Sequence, residues 1–362
     1  MIAQPAVAAA HDYPASDLTD VGARLRFHRN EAALPAPEHV VAAIRALDGN
    51  ALARYPVDLF EEFRTLLADR MGTGAQCLAI GSGADEILGA LMRAFLQPGD
   101  SIIAVTPTFG MYAHTAAIAG ATLNSVPYRE RWRLDPRRLI ESSDARTRIV
   151  VLGHPNNPTG DALAREDLDT IARGLPQTVI VVDEVYLCLG SDSLVDCAAR
   201  YPNVVVVGSF SKAAALAGLR VGYAVASAQN SAVLRRVISP FPVGVASLTG
   251  AMAYLHEAEA TAAFQSTLNR QIERSLSAIA QAITPFCLNV WRGPANYLLA
   301  DFGGAVKTAA HALADADIAV RSFSDPSIAN CLRFCAAADA PTAELIATLR
   351  TAFAVETSVL HA

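Results

Sequence analysis

The chain has no basic excess, no long apolar run and no paired cysteine motif, and each absence removes a class of function. Acidic residues outnumber Lys and Arg by 35 to 29, leaving a formal net charge of −6. A polyanion such as nucleic acid is therefore not the expected partner. No stretch approaches the roughly 20 apolar residues that cross a bilayer, so no membrane partner is expected either. The cysteines are Cys77, Cys188, Cys197, Cys287, Cys331 and Cys335. None forms a CxxC pair, which argues against a zinc site and for buried, reduced thiols. The histidines are scattered and none pairs with a carboxylate cluster, so no metal is expected. No GxSxG elbow is present, and the spacing around Ser247 is wrong for one, which removes a hydrolase nucleophile. Residues 1–10 are Ala-rich but lack a basic start and a long apolar core. They read as a floppy terminus and not a signal peptide, which leaves a cytoplasmic protein as the expectation.

What is present is apolar and layered. Half of the 362 residues are hydrophobic (52%), ample for buried cores, and the length calls for a large domain plus a smaller one. Short apolar runs at 78–80, 101–105, 148–152, 178–182, 204–207 and 221–226 alternate with helical patterns at 84–95, 112–119 and 165–174. Several runs are continuous, as strands covered on both faces should be. The fold class expected is α/β, with a mostly parallel sheet in the large domain. Upstream, 37–47 and 58–71 read as helices opened by Pro or Asp. Downstream of the Pro-rich stretch 239–242 the pattern changes. A long helix is expected over 256–283, strands near 297–301 and 332–335, and helices near 306–315 and 341–355, together a smaller α+β domain. The expected division is 1–45 as an N-terminal segment packing with the small domain, 46–240 as the large domain, and 241–362 as the small one.

Four segments fall at predicted strand ends, where open α/β sheets place ligands. Residues 81–86 (GSGADE) join a strand to a helix, and small residues there let backbone N–H groups approach an anion. Glu86 stands where a dinucleotide fingerprint needs its third glycine. Residues 154–160 (HPNNPTG) form a rigid turn from which Asn157 can offer an amide. Asp183 ends an apolar strand, with Tyr186 three residues on. A buried carboxylate needs a partner, and a metal, a protonated ring nitrogen or a structural salt bridge would each serve. Residues 209–212 (SFSK) deliver Lys212 to a strand end among apolar neighbours, with Arg220 beyond. A lysine there can act as nucleophile and base, whereas a surface lysine would only be solvated. Singly, each segment could be a plain turn or ion pair. Together they supply what pyridoxal 5'-phosphate (PLP) requires: an anion cradle, a carboxylate for the pyridine nitrogen, donors to the phenolate oxygen, and a lysine.

From about residue 25 to 349 the chain resembles the fold-type-I, class I/II aminotransferases, and among them most of all the histidinol-phosphate aminotransferases. The resemblance is carried by residues 54–56 (RYP), 81–86, 107–112 (PTFGMY), 154–160, 183–186 (DEVY), 209–212, 217–223 (AGLRVGY) and 330–333 (NCLR). It implies the aspartate aminotransferase-like fold and the roles that follow. Lys212 would hold PLP as a Schiff base and shuttle a proton, and Asp183 would keep the pyridine nitrogen protonated. Asn157 and Tyr186 would bond the phenolate oxygen, and Phe109 would stack on the ring. Gly83, Ala84 and Asp85, with Ser209, Ser211 and Arg220, would hold the phosphate. Tyr55 would reach the neighbouring subunit's cofactor, implying a homodimer with shared sites. Arg333 and Arg321 would bind substrate anions, and Asn30 would line the substrate. The partners implied are a small-molecule amino donor and a 2-oxo acid acceptor. A decarboxylase, oxidase or cyclase on the same scaffold is the alternative. A scaffold that had lost catalysis would be expected to lack Lys212, Asp183 or Arg220, and all three are present. The departures lie on the substrate side. Residues 29–34 (RNEAAL) stand where the family has an Asn-Glu-Asn-Pro stretch, Phe109 stands where Tyr is commoner, and Phe334-Cys335-Ala336-Ala337 follows Arg333.

Overall fold

The computed structural model describes residues 4–10, 23–187 and 193–359. Cys188 and the first three residues of the expected floppy terminus lie outside them. The strands in chain order are β1 (Leu25–Arg26), β2 (Leu78–Ser82), β3 (Ser101–Thr106), β4 (Thr122–Pro127), β5 (Thr147–Gly153), β6 (Val179–Asp183), β7 (Val204–Ser209), β8 (Val221–Ala226), β9 (Asn289–Arg292), β10 (Tyr297–Asp301), β11 (Ile318–Ala319), β12 (Arg321–Ser322) and β13 (Cys331–Cys335).

Seven of these form one sheet in the order β2-β8-β7-β6-β5-β3-β4. The pairs from β7 to β4 are parallel, and β8 runs antiparallel to both its neighbours. The central strands carry Val and Ile on both faces because helices cover both. Val150, Val182 and Val206 sit in one apolar cluster, while Ile149, Val181 and Val205 sit in the other. The helix Gly83–Phe95 belongs to the second cluster through Ile87, Leu88 and Leu91. A second sheet, β12-β13-β10-β9, packs with the helices Ala258–Ile283, Val306–Asp315 and Asp339–Val359 to form the smaller unit.

The division between units differs from the one expected. The helices Glu38–Arg45 and Val245–His256 pack on each other and bury Val40, Leu248 and Ala251 in the large-sheet core. The boundaries placed at 45 and 240 therefore fall inside the large unit. The helix expected over 256–283 is present as Ala258–Ile283, preceded by the separate helix Val245–His256. Upstream of Glu38 the chain does pack on the small unit: β1 pairs with β11, and Phe27 and Ala33 are buried there. The terminus is not wholly irregular, since Pro5–Ala9 form a short helix beside the helix Met111–Ile118. Among the described residues, Cys77, Cys197, Cys287, Cys331 and Cys335 are free thiols, and Cys77 and Cys287 are only partly buried. No described helix is long and apolar enough to cross a membrane.

Candidate active site

The parallel register brings the motif residues to one edge of the large sheet. Asp183 is the last residue of β6, level with Gly153 of β5. Lys212 follows β7 by three residues, and Phe109 follows β3. Two adjoining cavities, of 620 and 140 Å³, share Phe109, Tyr186, Lys212, Ala217 and Arg220 and form one cleft. His28, Arg29, Arg321 and Arg333 line its wider end, and Ala84, Asp85, Asp183, Ser209 and Ser211 its narrower end.

Asp183 is 5% exposed. Burial raises its pKa above the usual carboxylate range, opposed by donation from the Tyr112 hydroxyl and the Val185 amide. Tyr112 donates to Oδ2 at 2.7 Å and the Val185 N–H to Oδ1 at 3.0 Å. The structural salt bridge considered from sequence is therefore absent: among the described residues no cation pairs with Asp183. Two neutral donors make half-satisfied surroundings for a buried anion. That donor set suits a protonated ring nitrogen, so the site fits the cofactor on chemical grounds. Tyr112 was not singled out from sequence. Burial first, and then the charge of Asp183, push its own phenol well up, so it stays a donor.

Asn157 Nδ2 reaches the Tyr186 hydroxyl at 3.4 Å, and Arg333 donates to Asn157 Oδ1 and to the His28 carbonyl. The Tyr186 ring stands edge-on to Tyr297, with centroids 5.2 Å apart. Lys212 Nζ lies 5.6 Å from the Tyr186 ring centre and donates to the Arg29 carbonyl at 2.8 Å. Phe109 meets Tyr112 edge-to-face at 5.6 Å.

The anion cradle is built by close backbone approach. Gly83 opens its helix at φ +78°, and a Cβ there would sit 2.4 Å from Arg220 Nη2. A Cβ on Gly222 would sit 2.3 Å from the Gly83 carbonyl carbon. The two glycines thus let β8 pass against the helix N-terminus, and Arg220 turns back toward it with φ +51°. Arg220 bonds Asp85 at 3.0 Å and the Ser211 hydroxyl at 3.4 Å, while Ser209 donates to Ser211 at 2.9 Å. Helix amides, two hydroxyls and a guanidinium make a donor set suited to a phosphate.

One site expectation reads differently in the structure. Asn30 is fully buried at φ +51° and does not line the cleft; its neighbours Arg29 and Glu31 do. Its carbonyl accepts from Asn296 at 3.1 Å. Tyr55 lies away from this cleft, 75% exposed and stacked on Phe241 at 4.5 Å. A larger cavity, 1230 Å³, is lined by Arg129, Asp135 and Asp161 and contains neither Lys212 nor Asp183. Its volume exceeds that of the cleft, yet the reactive groups are elsewhere.

A lysine, a buried carboxylate and a phosphate cradle on one sheet edge define an enzyme of the PLP-dependent transaminase class. The profile of the family described as aminotransferase class I and II matches residues 25–350, and the chain belongs to that family. It is 34% identical over 308 residues to a histidinol-phosphate aminotransferase of Roseiflexus castenholzii, spanning 83% of this chain and 81% of that one. Histidinol-phosphate aminotransferase 2 of Pseudomonas fluorescens is 31% identical, with 98% of each chain covered. Among solved structures, histidinol-phosphate aminotransferase from Sinorhizobium meliloti in complex with pyridoxal-5'-phosphate aligns with TM-score 0.87 at 24% identity, covering 97% of both chains. Aspartate aminotransferase from Thermus thermophilus aligns with TM-score 0.86 at 23% identity, covering 97% of this chain and all of the other. The fold is thus that of aspartate aminotransferase, as the sequence resemblance implied.

Proposed function

We propose that the protein transfers the amino group of a phosphorylated amine, histidinol phosphate in the names of its relatives, to a 2-oxo acid. The observation that carries the reading is the meeting of Lys212, Arg321 and Arg333 on one cleft wall. Arg333, buried beside Asn157, and Arg321 on the same cleft both face the substrate's phosphate end. When bound, PLP supplies an electrophilic carbon for the amine and a protonated ring that accepts charge from Cα. Lys212 would hold the cofactor and, once freed, would take the proton from Cα and deliver it to the cofactor's C4′. Asp183 keeps the ring nitrogen protonated, Asn157 and Tyr186 bond the phenolate oxygen, and Phe109 covers the ring. The amides at Gly83, Ala84 and Asp85, with Ser209, Ser211 and Arg220, hold the phosphate of the cofactor.

The protein works as a cytoplasmic homodimer with shared sites. Exposed Leu52, Tyr55, Val57 and Phe241 support a second copy at that face, from which Tyr55 reaches the partner's cofactor. The test is a half-reaction screen. Holoenzyme is mixed in turn with histidinol phosphate and with aromatic, acidic, basic and aliphatic amino acids, and the visible cofactor band is followed. Rapid bleaching by histidinol phosphate, with return of the band on adding a 2-oxo acid, is expected. Bleaching by another amine alone would overturn the substrate. Turnover without an acceptor would point to decarboxylation, oxidation or cyclisation.

A further inference from the structure

The larger cavity and the active-site cleft are separated by the turn 156–158. Asn156 lines the former, while Asn157 and Pro158 line the latter. A chain of side-chain hydrogen bonds crosses that wall. Asp161, on the larger cavity, accepts from the Thr159 hydroxyl. The Tyr128 hydroxyl is a second donor to Asp161 and also touches Thr159. Asn156 Nδ2 donates to Thr159 Oγ1 at 2.8 Å and to the Pro107 carbonyl at 3.0 Å. Thr108, on the cleft wall beside Phe109, donates to Asn156 Oδ1 at 2.6 Å.

The chain has a direction. An ionised carboxylate only accepts, so the Thr159 hydrogen is committed to Asp161 and its oxygen is left to accept from Asn156. The amide nitrogen of Asn156 is then used up, its oxygen faces Thr108, and Thr108 must donate away from the cleft. The lone pairs of Thr108 are what remains for the substrate. Main-chain bonds tie the same turn down: Asn156 N–H to the Asp161 carbonyl at 2.8 Å, and the Tyr297 hydroxyl to the Asn156 carbonyl at 2.6 Å.

We infer that Asp161 is a positioning residue for the reaction, acting through Thr159 and Asn156 to present Thr108 as an acceptor in the cleft and to seat Asn157. This rests on the transaminase reading. Burial pushes the Asp161 carboxyl up to about 7, against the bonds from Thr159 and Tyr128. A protonated Asp161 can donate as well as accept, so Thr159 is no longer held to one orientation, while the Pro107 carbonyl still fixes the Asn156 amide. The groups sharing its cavity are Arg129 (ion-paired with Asp135), Glu130, Arg133 and Asp167, with Tyr128 at the end of β4. None of the charged ones is among the causes that set the Asp161 carboxyl.

The test uses holoenzyme of wild type, Asp161→Asn and Thr159→Val. Visible absorbance and circular dichroism of the bound cofactor are titrated between about pH 5.5 and 9, and kcat and KM for the amino donor are measured across the same range. Asp161→Asn is expected to raise KM about tenfold with a smaller change in kcat, and to remove one titration near neutrality from the dichroism profile. Thr159→Val, which leaves Asp161 in place, is expected to match it. Wild-type KM and an unshifted dichroism profile in both variants would overturn the inference. If wild type fails to transaminate, the functional reading falls while the dichroism titration still decides the role of Asp161. Should one variant not fold, the other decides.

Discussion

Tyr112→Phe isolates one bond at the centre of the site. The substitution keeps the ring, which is 2% exposed and packs edge-to-face on Phe109, so it opens no cavity. It removes the donor 2.7 Å from Asp183 Oδ2 and leaves the carboxylate with the Val185 amide alone. A hydrogen bond to a charged group is worth about 1.5–3 kcal/mol, or roughly 10- to 150-fold in an equilibrium. The carboxylate form of Asp183 loses that much, and its pKa, already raised by burial, climbs further. A neutral acid holds a protonated ring nitrogen poorly. The first half-reaction should therefore slow by about 10- to 100-fold, and PLP should dissociate more readily. The deficit should shrink as pH rises, because the ionised form returns. Stopped-flow bleaching of the cofactor band, with titration of apoenzyme by PLP, measures both. A variant within about twofold of wild type in rate and affinity would refute the argument that Tyr112 sustains the charge of Asp183.

Two further outcomes follow from packing and burial. Gly222→Ala forces a Cβ to within 2.3 Å of the Gly83 backbone. It should destabilise the protein by about 1–3 kcal/mol and weaken PLP binding, read as a lower melting temperature and a raised PLP dissociation constant. Glu184 is buried, accepts from the Leu194 amide at 2.6 Å and the Ser193 hydroxyl at 2.7 Å, and is pushed up to about 7 by burial. The folded protein thus holds a proton that the unfolded chain has released between about pH 4.5 and 7, so this group's contribution falls as pH rises through that window. Glu184→Gln should raise the melting temperature more at pH 8 than at pH 5, with an upper bound of about 3 kcal/mol.

The buried sheet was legible because its strands are uninterrupted runs of Val and Ile. The strand Thr122–Pro127 was not, since it lies at the sheet edge, alternates polar residues and mostly faces outward. The helix Val245–His256 was hidden by the prolines before it, which read as a boundary although the residues after them are buried in the large core. Lys212, Asp183 and Arg220 could be found because each sits inside a short motif at a strand end. Tyr112 could not be assigned its part, because its partner is 71 residues away and only the parallel sheet brings the two together. Asn30 was misplaced by one step of backbone geometry: its left-handed φ turns its side chain inward while residues 29 and 31 face the cleft. The Asp161 relay was beyond reach for a similar reason, since it runs through residues 156–161 and then crosses to Thr108, 48 residues away.

The segment upstream of residue 35 is woven into the small unit, through β1 against β11 and the Cys335 amide on the Phe27 carbonyl, yet its Arg29 carbonyl rests on Lys212 of the large unit. It behaves as a latch string rather than a tail. It ties the small unit to the loop that carries the reactive amine. A cut in this segment is therefore expected to loosen the small unit from the large one, read as a lower melting temperature, without removing a residue that binds the cofactor.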